Sequence, residues 1–196
     1  LACWGYEEHW HGEAIGDVLR AHGQAAGAER LAGVRRHLPR YDSLRPFAFT
    51  LASAVTPHIV TVHMTWGAVN EWTTQAAYAR LAARAEHPVL SELLRRIMRQ
   101  EGRHIDFYAM QARRRLAASP AARRLTRAAL RHRWAPVGSG VMPDAEVAFM
   151  ASHLFGDADG RAAARRVDRM VHRLPGLEDL CLLERAVDTL AGAAGG

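Results

Sequence analysis

A chain of 196 residues with 49% apolar side chains can bury one substantial core, and its composition excludes a disordered tail. No apolar run approaches the roughly 20 residues of a membrane span, and no secretory signal is visible. The net charge is +6 and all 26 basic residues are arginine. Coding bias of a G+C-rich genome is the simpler cause, yet such a surface attracts acidic partners at low salt. The arginines are scattered, without aromatic interleaving or a recognition motif, so nucleic acid is not an expected partner. Cys3 and Cys181 are too few for a disulfide framework and read as buried thiols of a reducing, cytoplasmic compartment.

In chain order the punctuation is that of helices. A first helix is expected from about Cys3 to Arg20, ended near Gly23, and a second from Ala26 to Leu38, stopped by Pro39. Tyr41–Pro46 reads as a turn. A long helical segment follows to Ala85, with a break near Pro57. Pro88 suits the first position of a helix running to Ala118, and Pro120 opens another ending near Arg133. Trp134–Pro143 is a loop, after which helices are expected over Asp144–Phe155, Gly160–Arg173 and Gly176–Leu190. Repeats and strand-like alternation are absent, so the expected fold is all-α.

Three helices carry ionisable residues inside an apolar stripe. On the first, Trp4, Glu8, His11, Ile15 and Val18 share a face. On the long central one, so do Val60, Met64, Gly67, Glu71, Thr74, Tyr78 and Leu81. On the helix after Pro88 the stripe is Leu90, Leu94, Ile97, Glu101, His104 and Tyr108. Two Glu-x-x-His pairs, Glu8–His11 and Glu101–His104, therefore flank a lone Glu71. Spacing of three places both members of each pair on one face. Unpartnered carboxylates in a core cost several kcal/mol, and no arginine lies on these stripes. A pair of metal ions would compensate the charge, and imidazole with carboxylate and no nearby cysteine suits iron or manganese.

Other patterns carry less. Asp157-Ala-Asp159-Gly160 has its glycine two positions too early for a calcium loop and reads as a helix-capping turn. His58 and His63 are wrongly spaced for one helical face, and Trp66 and Trp72 read as core.

The segment Trp4-Gly-Tyr-Glu7-Glu8-His-Trp-His11-Gly12 resembles the W-x-x-E-E-x-x-H-G motif of the soluble acyl-[acyl-carrier-protein] desaturases. Glu71-Trp-Thr-Thr74 is similar to that family's second glutamate-bearing helix. Gln100-Glu101-Gly-Arg103-His104 resembles its D-E-x-R-H motif, and Arg173-Leu-Pro175 with Leu183-Glu-Arg185 its closing helix. The resemblance implies a single ferritin-like helical domain over residues 1–196, a bundle with additional C-terminal helices, commonly homodimeric. It implies two iron ions held by Glu8, His11, Glu71, Glu101 and His104, with Thr74 beside the oxygen-binding face. It further implies that O2 and electrons from a ferredoxin-type donor introduce a cis double bond into a fatty acyl chain on acyl carrier protein; the alternatives are a ferritin-like diiron oxygenase of another small substrate and a catalytically incomplete helical remnant.

Two departures accompany the resemblance. The full site needs a second helix bearing a lone glutamate, which in the family precedes the first Glu-x-x-His. Here it would lie upstream of Leu1, so an N-terminal part is expected to be missing from this chain. Glu7 and Glu13 point off the Glu8–His11 face and are poor substitutes. Gln100 stands where the family has Asp, so a neutral amide replaces a carboxylate as acceptor for a ligand histidine.

Overall fold

The computed structural model describes residues 2–38 and 45–194, and among these it contains nine helices and no strand. They are α1 (Ala2–Ala21), α2 (Ala28–His37), α3 (Arg45–Val55), α4 (His58–Arg84), α5 (Pro88–Ala118), α6 (Pro120–Arg133), α7 (Asp144–Phe155), α8 (Ala158–His172) and α9 (Leu182–Ala194). The all-α expectation holds. No helix among the described residues is long and apolar enough to cross a membrane. Pro39 and most of the expected Tyr41–Pro46 turn fall outside the described residues, as do the side chains of Cys3 and Trp4.

Local chemistry sets most boundaries. Gly23, at φ +69°, turns the chain after α1 in a conformation that glycine adopts without penalty. Pro88 and Pro120 occupy the first turns of α5 and α6, where a missing N–H costs nothing, behind the capping side chains of His87 and Ser119. Asp157 caps α8 by accepting from Gly160 N at 2.7 Å. That N–H, and then the guanidinium of Arg80, holds the Asp157 carboxyl below its ordinary range. Asp157 is thus the capping turn expected from sequence, and it also ties α8 to Arg80 and Arg84 of α4.

The last helix begins later than expected, at Leu182 rather than Gly176. Asp168, 1% exposed on α8, explains the difference. Its two oxygens accept from the backbone N–H groups of Leu182, Leu183 and Glu184 at 2.9, 3.0 and 3.0 Å. A cap from a different helix fixes where α9 starts, and residues 176–181 form turns below it. Cys181, just ahead of that start, is exposed rather than buried, contrary to the sequence reading.

α4 is the central helix. It pairs along its length with α5, and α6, α7 and α8 also pack on it. Ser91 Oγ donates to Ala82 O, Gln75 Nε2 donates to Met98 O, and Gly67 meets Tyr108. These contacts descend one helix while ascending the other, so α4 and α5 run antiparallel. The main core lies between this pair and α6–α9, around Leu116, Leu130, Val167, Val171, Leu174 and Leu183. Because α4 is covered on several sides, its fully buried face is Thr61, Val62, Thr65, Ala68, Val69, Trp72 and Thr73. The stripe Val60–Leu81 expected to be innermost is half-buried. Trp72 is core, Trp66 is partly buried against it, and His63 is exposed. α1 packs chiefly along α5, away from the main core.

Two predictions follow from this packing. A Cβ at Gly67 would lie 2.5 Å from Tyr108 ring carbons. Gly67→Ala is therefore expected to force α4 and α5 apart and destabilise the fold by about 1–3 kcal/mol in urea unfolding. Asp168→Ala strips a buried helix end of its acceptor, and a loss on the order of 3 kcal/mol is expected in the same measurement. An unchanged midpoint in either variant would contradict the corresponding contact.

Candidate metal centre

Where α1, α4 and α5 converge, the polar side chains of the three stripes meet. Glu101, His11 and His104 are 3%, 6% and 8% exposed, while Glu8 and Glu71 are half-buried. Glu8, Glu71, Glu101 and His104 each place a potential ligand atom within 4.8 Å of all the others. His11 joins through Glu101: its Nδ1 is 2.8 Å from Glu101 Oε1. The other oxygen, Oε2, lies 2.6 Å from His104 Nδ1, and Glu8 Oε1 is 3.5 Å from the same nitrogen. All five residues picked from sequence are thus brought together. Among the described residues no further carboxylate completes the group of four, so a second lone glutamate is not found there.

The outer nitrogens of both rings are engaged elsewhere. His11 Nε2 donates to Gln100 Oε1 at 2.8 Å, and His104 Nε2 donates to Glu7 Oε2 at 2.9 Å. With its proton on Nε2, a neutral imidazole turns a lone pair inward from Nδ1. Each Glu101 oxygen is then satisfied either by a proton on the facing Nδ1 or by a cation between the two atoms, and the 2.6 Å approach of His104 Nδ1 to Oε2 has hydrogen-bond geometry. For His11 the contact is not a usable hydrogen bond: the buried Nδ1 has no aligned partner among the described residues despite the 2.8 Å approach. Ligand atoms bound to one ion at ~2.0–2.2 Å lie about 3 Å apart, which matches these separations. The buried Glu/His group can hold a metal ion, and its chemistry fits one.

The electrostatics agree. Burial, and then the Glu101 carboxylate, holds the Glu8 carboxyl above its ordinary range, against the pull of His11 and His104. The Tyr78 phenol is pushed up to about 12 by burial and then by Glu101, Glu8 and Glu71. Tyr108, on the facing helix, is raised by burial and then by Glu71 and Glu8. After burial, the same carboxylates, Glu8 and Glu71, raise two tyrosines on different helices, so negative charge is concentrated where α4 and α5 face each other.

Glu7 has a role at the centre that its position in the sequence does not reveal. It points off the Glu8–His11 face as helical geometry requires, yet it crosses to α5 and receives His104 Nε2. Its second oxygen accepts from Arg103 Nη2 at 2.9 Å. The adjacent doublets Glu7–Glu8 and Arg103–His104 were the available signal: each places a supporting group beside a candidate ligand. Glu13 is engaged with Arg20, away from the centre. Gln100 accepts the His11 N–H as an amide can, so the two histidines differ in the charge of their outer acceptors.

Thr74, one turn beyond Glu71, lines an apolar cavity of about 210 Å³ together with Thr73, Tyr78, Met150, Leu154 and Leu183. The loop from Trp134 lines one side of it through Pro136, Val137 and Met142, and Trp134 Nε1 ties that loop to α4 by donating to Asn70 Oδ1 at 3.0 Å. A second acidic group, Asp168, Cys181 and Glu184, is accounted for differently, because Asp168 is committed to capping α9.

No protein-family model, no curated protein and no solved structure matches this chain.

Metal loading distinguishes the roles. Glu101→Ala should abolish high-affinity binding of Fe(II) or Mn(II) in calorimetry. Glu7→Ala should weaken it by roughly 10–100-fold through the loss of His104's outer partner. Glu13→Ala should leave it unchanged, and equal affinities across the three variants would show the assignment of faces to be wrong.

Proposed function

We propose that this protein is a dinuclear-iron oxidase of the desaturase kind, acting on an aliphatic chain delivered on acyl carrier protein. In this reading Glu8, His11, Glu71, Glu101 and His104 are iron ligands in a ferritin-like bundle, and the two ions are iron rather than manganese. The observation that carries it is Glu101, whose oxygens each face one histidine Nδ1, as suits a carboxylate shared by two ions. The apolar cavity beside Thr74 supports an aliphatic substrate, and the basic surface suits an acidic carrier.

Bound iron would supply the oxidation: O2 takes two electrons from a ferredoxin-type donor, two protons from solvent and two hydrogen atoms from adjacent methylenes, leaving two waters and a cis double bond. The chain's own residues do the rest. Glu7 and Gln100 hold the outer N–H of the two histidines, which fixes both rings with Nδ1 inward. The cavity walls exclude water and align a short run of methylenes. In this reading Thr74, in the cavity wall one turn from Glu71, passes a proton.

A smaller substrate is the second reading, and the size of the cavity favours it. At about 210 Å³ the space falls below the ~300–1,000 Å³ of ordinary ligand pockets. That room suits a short aliphatic segment, and hydroxylation or N-oxygenation of a compact molecule uses the same centre.

The test is anaerobic loading with Fe(II), then O2, a reduced ferredoxin system and acyl carrier protein bearing stearoyl or palmitoyl chains. A monoene product is expected from the parent protein. Ala77→Phe, which fills the cavity, should keep the iron and lose the product. No monoene at full iron load would refute desaturation, and failure to take up iron in the folded protein would refute both readings.

A further inference from the structure

A larger concavity lies on the opposite side of α4 from the Thr74 cavity. It has a volume of about 660 Å³ and is walled by α4, α5 and α8. Its floor is apolar, from Trp72, Ala76, Met98, Val167 and Met170. Its rim carries Arg166 and Arg169 on one side of α8 and Arg173 at the C-cap of that helix. All three are exposed, and their guanidinium groups have no hydrogen-bond or ion-pair partner among the described residues. Arg80 also borders the space but is committed to Asp157 and to Leu154 O. No carboxylate lines the concavity.

Favourable placement near a helix C-terminus accounts for Arg169 and Arg173 as solvated residues, because the carbonyl end of the dipole attracts cations. It does not account for Arg166, which lies two turns earlier, nor for an apolar floor left open between arginines. Several surface arginines of this chain find carboxylates, as Arg96 does with Glu92, Arg127 with Asp179 and Arg161 with Asp188. Three guanidinium groups around one apolar hollow, with no acid among its lining residues, have the complementarity of an anion that carries an apolar body.

We propose that this concavity binds a small organic phosphate, with the phosphate held by Arg166, Arg169 and Arg173 and the organic portion seated over Met98, Val167 and Met170. A phosphate rather than a carboxylate fits because three arginines border one hollow, and guanidinium forks match phosphate oxygens two at a time. The volume falls within the range of small-molecule sites. The site is separate from the Glu/His centre and does not depend on the metal there.

Calorimetry with 1-naphthyl phosphate, inorganic phosphate and 1-naphthol tests both halves of the claim. One molecule of 1-naphthyl phosphate per chain is expected to bind at least tenfold more tightly than either other probe. The double variant Arg166→Glu with Arg173→Glu should weaken it at least tenfold. Ala79→Trp, which fills the hollow from an exposed position, should do the same with the arginines intact. Arg113→Glu, an equal charge change on the exposed face of α5, should alter affinity less than twofold. Equal binding of inorganic phosphate, no loss in the double variant or in Ala79→Trp, or an equal loss in Arg113→Glu would each overturn the site.

Discussion

The Glu101 carboxylate, buried between two imidazoles on different helices, is the constraint on which the meeting of α1, α4 and α5 depends. Each of its oxygens approaches an Nδ1 that helical geometry and an outer acceptor have turned inward. α1 lies along α5 through these contacts rather than through the main apolar core. His11 to Glu101, His11 to Gln100 and Glu7 to His104 are all contacts between α1 and α5. On the proposed reading, the metal joins the first helix to the rest of the bundle as well as performing chemistry.

Around that point the fold divides its labour. The core beneath α6–α9 supplies apolar burial, and it leaves the α1–α4–α5 face free to carry charge. Gly67 allows α4 to approach the Tyr108 ring closely, one turn from Glu71 on α4 and one turn from His104 on α5. Asp168 and Asp157 fix the starts of α9 and α8 by capping from outside and from within. The C-terminal helices that complete the Thr74 cavity are thereby held at defined heights along α4. The candidate ligand Glu71 and the cavity residue Thr74 share one helix, separated by a single turn.

Much of this was legible in the residues, for reasons that differ by element. Pro88 and Pro120 announced two helices to the residue because proline acts through local backbone geometry. The Glu8–His11 and Glu101–His104 pairs were readable because spacing of three is a local property, and their placement in apolar stripes supplied the third dimension. What escaped depended on distant partners. The start of α9 is set by Asp168, fourteen positions upstream of Leu182. The half-buried state of the Val60–Leu81 stripe reflects the several helices packed around α4. Cys181 is exposed because it precedes that externally capped start. Glu7 lay one position from a candidate ligand, yet its partner His104 is on another helix, and no periodicity within α1 reveals that.

The most direct test of the central claim is anomalous diffraction from crystals soaked anaerobically in Fe(II), with data collected on either side of the iron edge. Two peaks are expected beside Glu101, one ~2.0–2.2 Å from His11 Nδ1 and the other at that distance from His104 Nδ1. A well-ordered site without anomalous density, in which Glu101 simply hydrogen-bonds to protonated rings, would contradict it.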